Sequence, residues 1–104
     1  MIIRNNNIIH FFEFILAMKI AALAFYPFIF VAESTIIDDE LINHERIHLR
    51  QQLELLVIPF HIWYLIALRR KGYDNISFEK EAYANENDLS YLKKRKLFSF
   101  IKYI

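Results

Sequence analysis

The chain has 104 residues, 56% of them apolar and 16% aromatic, with one glycine, two prolines and no cysteine. That length makes one ordinary domain, residues 1–104, and so few turn residues exclude a many-stranded sandwich or barrel. Lys+Arg 13 against Asp+Glu 12 leaves a net charge of +1, which excludes a polybasic nucleic-acid binder and a disordered polyampholyte, while the missing cysteines exclude disulfides, thiolate metal sites and a cysteine nucleophile.

Residues 8–19, with Ile8, Ile9, Phe11, Phe12, Ile15, Leu16 and Met18, read as a short apolar helix. Phe25, Tyr26, Phe28, Ile29, Phe30 and Val31 are aromatic or β-branched and favour strand, and Pro27 confines such a strand to an edge or a bulge. Glu33 to Glu40 is polar and reads as a loop; Asp38, Asp39 and Glu40 place negative charge where a helix N-terminus favours it. From Leu41 to about Leu56 the helical period is clear. His44, Glu45, His48, Gln51 and Gln52 share one broad arc with Leu41, Leu49 and Leu55, and Asn43, Arg46, Arg50 and Glu54 fall outside it. Glu54, four residues beyond Arg50, is expected to form an ordinary surface pair with it.

Pro59 is expected to kink or end this helix, and residues 60–68 to continue as a second apolar segment. Gly72 lies in a polar turn over 69–75, and Ser77 is placed to cap a last helix of about Phe78 to Lys96 with Phe78, Ala82, Leu89 and Leu92 as its apolar stripe. The longest uncharged runs, Ile20 to Ala32 and Leu55 to Leu68, fall short of the roughly 18–20 residues a membrane span needs, and each holds a proline. His10, Glu13 and Lys19 interrupt what would be a signal peptide's apolar region. The expected location is the cytoplasm or the periphery of the cytoplasmic membrane. The basic and aromatic residues 93–103 suit an anionic lipid surface, and equally a solvated last turn complementing the helix dipole.

His44-Glu45-Arg46-Ile47-His48 is an H-E-x-x-H sequence within the clearest helix. Residues four apart lie on one face a turn apart, so both imidazoles can reach one Zn²⁺, and Glu45 beside them is left to take a proton from water as general base. The competing interpretation is a pair of partly buried histidines at helical spacing. A hydrolytic zinc site needs a third protein ligand and an open fourth position. His10 and His61 sit in apolar stretches; the acidic stretch Glu79-Lys80-Glu81-Ala82-Tyr83-Ala84-Asn85-Glu86 is the better source. Periodicity does not choose between Glu79 and Glu81, though Glu81 lies nearer the stripe.

H-E-x-x-H followed by E-x-x-A-[D/N/Y] on a later helix resembles the gluzincin metallopeptidases. Asn43 to Gln52 together with Phe78 to Tyr83 is similar to short bacterial proteins of minimal-gluzincin type, over roughly residues 20–104. The resemblance implies Glu79 as third zinc ligand beside His44 and His48, with Tyr83 where the family more often carries Asp or Asn. It also implies an α+β, mainly α fold with a zincin-like minimal core: the H-E-x-x-H helix, a later Glu-bearing helix, and a short β-hairpin or edge strand before the metal helix. A peptide or protein substrate would pair along an edge strand near residues 22–32. The expected function is zinc-dependent peptide hydrolysis. The alternatives are a non-catalytic module that keeps zinc for structure and uses its apolar segments against a membrane, a partner or a second copy, and a plain helical interaction protein.

Overall fold

The computed structural model describes residues 2–16 and 18–104. It is an α+β, mainly helical fold with one three-stranded sheet. Strand β1, Ile2–Arg4, is followed by helix α1, Asn6–Leu16; the Asn5 carboxamide accepts from the Ile8 N–H and so caps it. Strands β2, Ala22–Phe25, and β3, Phe28–Val31, form a hairpin pairing Ala22 with Val31 and Phe25 with Phe28. Pro27 occupies the hairpin turn, behind a cis Tyr26–Pro27 bond, rather than an edge or a bulge. There its missing N–H costs the ladder nothing.

β1 runs parallel to β3, with Ile2 opposite Ile29 and Arg4 opposite Val31, so the strand order is β1-β3-β2. The sequence pattern gave no sign of β1, a three-residue strand whose partner lies 27 residues away. Within residues 22–32 the sheet edge is therefore β2 alone, because β3 is paired on both sides.

Helix α2, Asp39–Leu55, starts where the charge pattern places it: the Asp38 carboxylate accepts from the Leu41 N–H at 2.8 Å, and Asp39 and Glu40 fill the first turn. It ends at Leu56, whose φ is 66°, and helix α3, Val57–Lys71, departs at 112°. Pro59 does not make this break. It is the third residue of α3, within the first turn, where an N–H has no partner inside the helix.

Gly72, at φ 82°, ends α3 and a short 3₁₀ turn leads to helix α4, Ser77–Asn85. Its cap position is Ile76 rather than Ser77. The expected single helix to Lys96 is two pieces, α4 and α5, Tyr91–Lys94. The interruption has a partner: the Asn43 side-chain amide donates to the carbonyls of Asn85, Glu86 and Asp88 at 3.2, 2.8 and 3.0 Å. One buried amide thus ties together three carbonyls of the connection between α4 and α5.

Two apolar layers hold α2. On one side Ile9, Ala24, Ile29, Val31 and Ile47 are buried. On the other lies a cluster of Phe60, Ala67, Ile76, Phe78 and Phe100. Phe78, fully buried, packs its ring at a tilt against Phe60 and Phe100, with centroids 4.6 and 4.9 Å away. That anchor sets the rotation of α4 and turns the next residue, Glu79, towards α2. No single helix among the described residues is long and apolar enough to cross a membrane.

Candidate metal centre

Because α2 packs against β2, α3 and α4, its polar arc is enclosed: His44, Glu45, His48, Gln51 and Gln52 are all buried. His44 Nε2 and His48 Nε2 lie 3.2 Å apart, and Glu79 Oε1 lies 3.1 Å from the first and 3.0 Å from the second. These three atoms form a near-equilateral triangle. Ligands about 2.0–2.1 Å from a tetrahedral Zn²⁺ stand about 3.3 Å apart, so the spacing fits the ion.

The surrounding hydrogen bonds fix which nitrogen faces the triangle. Gln51 Nε2 donates to Phe78 O at 3.1 Å and to Glu81 Oε1 at 2.9 Å, so Gln51 Oε1 is left to accept, at 2.8 Å, from His48 Nδ1. His44 Nδ1 meets Glu86 Oε1 at 2.7 Å and can only donate to that carboxylate. With Nδ1 donating in both rings, Nε2 is the atom of each that faces Glu79. Carboxylates and amides behind ligating histidines orient them in this way. Tyr64 donates to Glu79 Oε2 at 2.7 Å and leaves Oε1 as the atom facing the imidazoles.

The electrostatics agree with that geometry. Burial opposes ionisation of both partners, yet the Glu79 charge and hydrogen bond raise His48 to about 9. The same contacts, with those of His44 and Tyr64, hold Glu79 well below the usual carboxylate range. The triangle is built around positive charge. Burial pushes the Glu45 carboxyl up, partly offset by the two imidazoles. Burial and Glu79 push the phenol of Tyr64 far up, so it stays a donor.

Glu45 Oε2 lies 3.9 Å from His44 Nε2, beside the triangle. All four residues line a cavity of about 720 Å³, within the range of small-molecule and peptide clefts. Tyr73 and Tyr83 line it too, their hydroxyls 2.7 Å apart, with the Tyr83 ring edge-on to His44.

Glu81 is not at the triangle. It is wholly buried on the far side of Gln51, where Arg95 Nε donates to its Oε2 and Tyr91 donates at 2.6 Å. Burial alone would raise its pKa; the bonds from Arg95, Tyr91 and Gln51 outweigh this and lower it. Arg95 also makes a two-pronged contact with Glu54, at 2.6 and 3.0 Å. The expected Arg50–Glu54 surface pair is thus replaced by a buried one, because Arg95 needs two carboxylates to enter the core. His10 is exposed and does not line the cavity; His61 lies in the cavity wall with its Nε2 buried and unpaired.

Tyr64, Gln51, Glu86 and Arg95 form the support around the donors and were not singled out by the motif. Two of them carried a sequence signal, Gln51 by its place on the same arc as His44 and His48 and Glu86 by its place in the acidic stretch that begins at Glu79. No family model matches the chain, and neither a curated protein nor a solved structure does.

Proposed function

We propose that the chain is a zinc-dependent peptidase of gluzincin type. The observation that carries this reading is the convergence of His44 Nε2, His48 Nε2 and Glu79 Oε1 beside buried Glu45, in the wall of a cavity large enough for a peptide side chain and its backbone. Three protein donors rather than four favour a reactive over a purely structural ion. Zn²⁺ held by these residues supplies a Lewis acid that polarises a carbonyl and lowers the pKa of water from 15.7 towards about 7.

The remaining steps belong to the chain. Glu45 accepts the proton of the attacking water and delivers it to the leaving amine. The Tyr73–Tyr83 pair holds two hydroxyl protons and uses one between its oxygens, so the other is free to donate to the developing oxyanion. The substrate backbone pairs along β2, but only at its Ala22 end. Gln52 already donates to Ala24 O at 2.8 Å and accepts from Tyr26 N at 2.6 Å.

Elemental analysis of purified protein tests the reading first, with near-stoichiometric zinc expected, and His44→Ala/His48→Ala expected to abolish it. Glu45→Gln should keep zinc and lose hydrolysis of a peptide library. Iron instead of zinc, no metal at all, or hydrolysis undiminished by Glu45→Gln would overturn it.

A further inference from the structure

Strand β2 is an edge of the sheet, and its backbone groups alternate in direction. Ala32 N–H donates to Ala21 O at 2.9 Å, which sets Ala21, Leu23 and Phe25 towards β3 and leaves Ala22, Ala24 and Tyr26 facing outward. Side chains have taken most of these outward groups. Gln52, wholly buried, fills two places, at Ala24 O and Tyr26 N. The Ala24 N–H helps to hold the charge of Glu45, beside the donor triangle. At the other end Ile20 N–H donates to Glu13 Oε2 at 2.8 Å. Among the described residues of this edge, Ala22 alone keeps both outward groups without a partner.

The cavity follows the same course. Residues 18–24 line it, exposed at Lys19 and Ala21 and buried by Ala24, and the lining stops short of Phe25. An extended peptide gains affinity from each residue whose N–H and C=O meet a strand edge. Beside the donor triangle a peptide gains it once, at Ala22. A long chain leaves β2 on both sides of that residue and draws no further hydrogen bonds from the edge.

We infer that the site takes short peptides and that Gln52 sets the limit: one substrate residue pairs with Ala22, and Gln52 holds the part of the edge that further residues need. The inference rests on the peptidase reading and narrows its substrate class from peptides and proteins to peptides of a few residues. Gln52 acts by occupying β2, which makes it a specificity-determining residue and not a catalytic one.

Calorimetry on the purified full chain tests this with phosphinic pseudopeptides of alanine, extended residue by residue on either side of the phosphinic group, and needs no turnover. The residue that reaches Ala22 forms two hydrogen bonds and should tighten binding about tenfold, while every other added residue should change it by less than about twofold. In Gln52→Ala, a residue added on the Tyr26 side should tighten binding about tenfold as well, with zinc content and helicity measured as the check on its fold. Zinc absent from the wild type, with no probe bound, sinks the metal reading and this inference with it. Zinc present with affinity climbing at each added residue, or unmoved by any of them, overturns this inference and leaves the metal reading standing. A folded, zinc-loaded Gln52→Ala with the wild-type profile overturns it too. Should that variant fail to fold, the wild-type series decides alone.

Discussion

Tyr64 donates its hydroxyl proton to Glu79 Oε2 at 2.7 Å, and this one bond decides which oxygen of Glu79 faces the histidines. Tyr64 comes from α3 and Glu79 from α4, so the bond also ties the two helices at the donor triangle. Tyr64→Phe keeps the ring in the Phe60–Phe78 cluster and removes only the donor. Outer-layer partners of metal ligands are worth about 10–100-fold in affinity, so zinc affinity measured by chelator competition should fall by that factor with the fold intact. An unchanged affinity would mean that Glu79 is positioned by packing alone.

Arg95, Glu81 and Glu54 form the second prediction. The Arg95 and Glu81 side chains are wholly buried and Glu54 nearly so. Arg95→Met would strand two carboxylates in the core, and removing one partner from a buried pair costs about 3–5 kcal/mol. The urea midpoint should drop accordingly, and adding Glu54→Gln and Glu81→Gln should restore part of the loss. A cost below about 1 kcal/mol would show that water reaches these groups and that the network does not hold Gln51.

How far the site was readable follows from where its signals lie. His44 and His48 belong to one helix, and a local period suffices to put them on one face. Glu79 and Glu81 are two residues apart on another helix, roughly 200° around it, so one must turn away from whatever the other faces. What chooses is remote: Arg95, 14 residues beyond Glu81 and 41 beyond Glu54, buries itself between them, and Phe78 locks the rotation. A run of Lys93, Lys94, Arg95 and Lys96 looks like a solvated end, and nothing local marks Arg95 as the one that goes inside. The helix break shows the same limit from the other side. Pro59 is conspicuous in sequence and harmless in its place, while the positive φ that turns the chain belongs to Leu56.

His61 gives the pH dependence. Its ring stacks on Phe25 at 4.3 Å and meets Phe60 edge-on, and burial, with the charge of His48 behind it, lowers its pKa to about 4. The folded value lies below the unfolded one of about 6.5, so the unfolded chain takes up the proton first. Stability from this residue is full above about pH 6.5 and is lost as pH falls towards 4. His61→Phe removes the dependence. Comparing urea unfolding of both proteins at neutral pH and at about pH 4.5, the wild type should lose about 1–2 kcal/mol more than the variant, after discount for the ring's partial exposure. Equal losses would place the acid sensitivity in the carboxylates alone.

Gln52 imitates a neighbouring strand. Its amide donates to Ala24 O and accepts from Tyr26 N, the same pair of backbone groups a peptide strand would engage along that part of β2. The side chain is wholly buried, so Gln52→Leu preserves volume but leaves a carbonyl and an N–H unpaired beside α2. Each such group costs about 1–3 kcal/mol, and a loss of about 2–3 kcal/mol in unfolding free energy is expected for the two together. Amide exchange at Tyr26 should quicken well beyond that global loss, because the hairpin tip is freed from α2 before the rest unfolds. If exchange at Tyr26 instead tracks global unfolding, Gln52 adds stability without pinning the strand. The length of β2 left open is then set by the hairpin itself and not by α2.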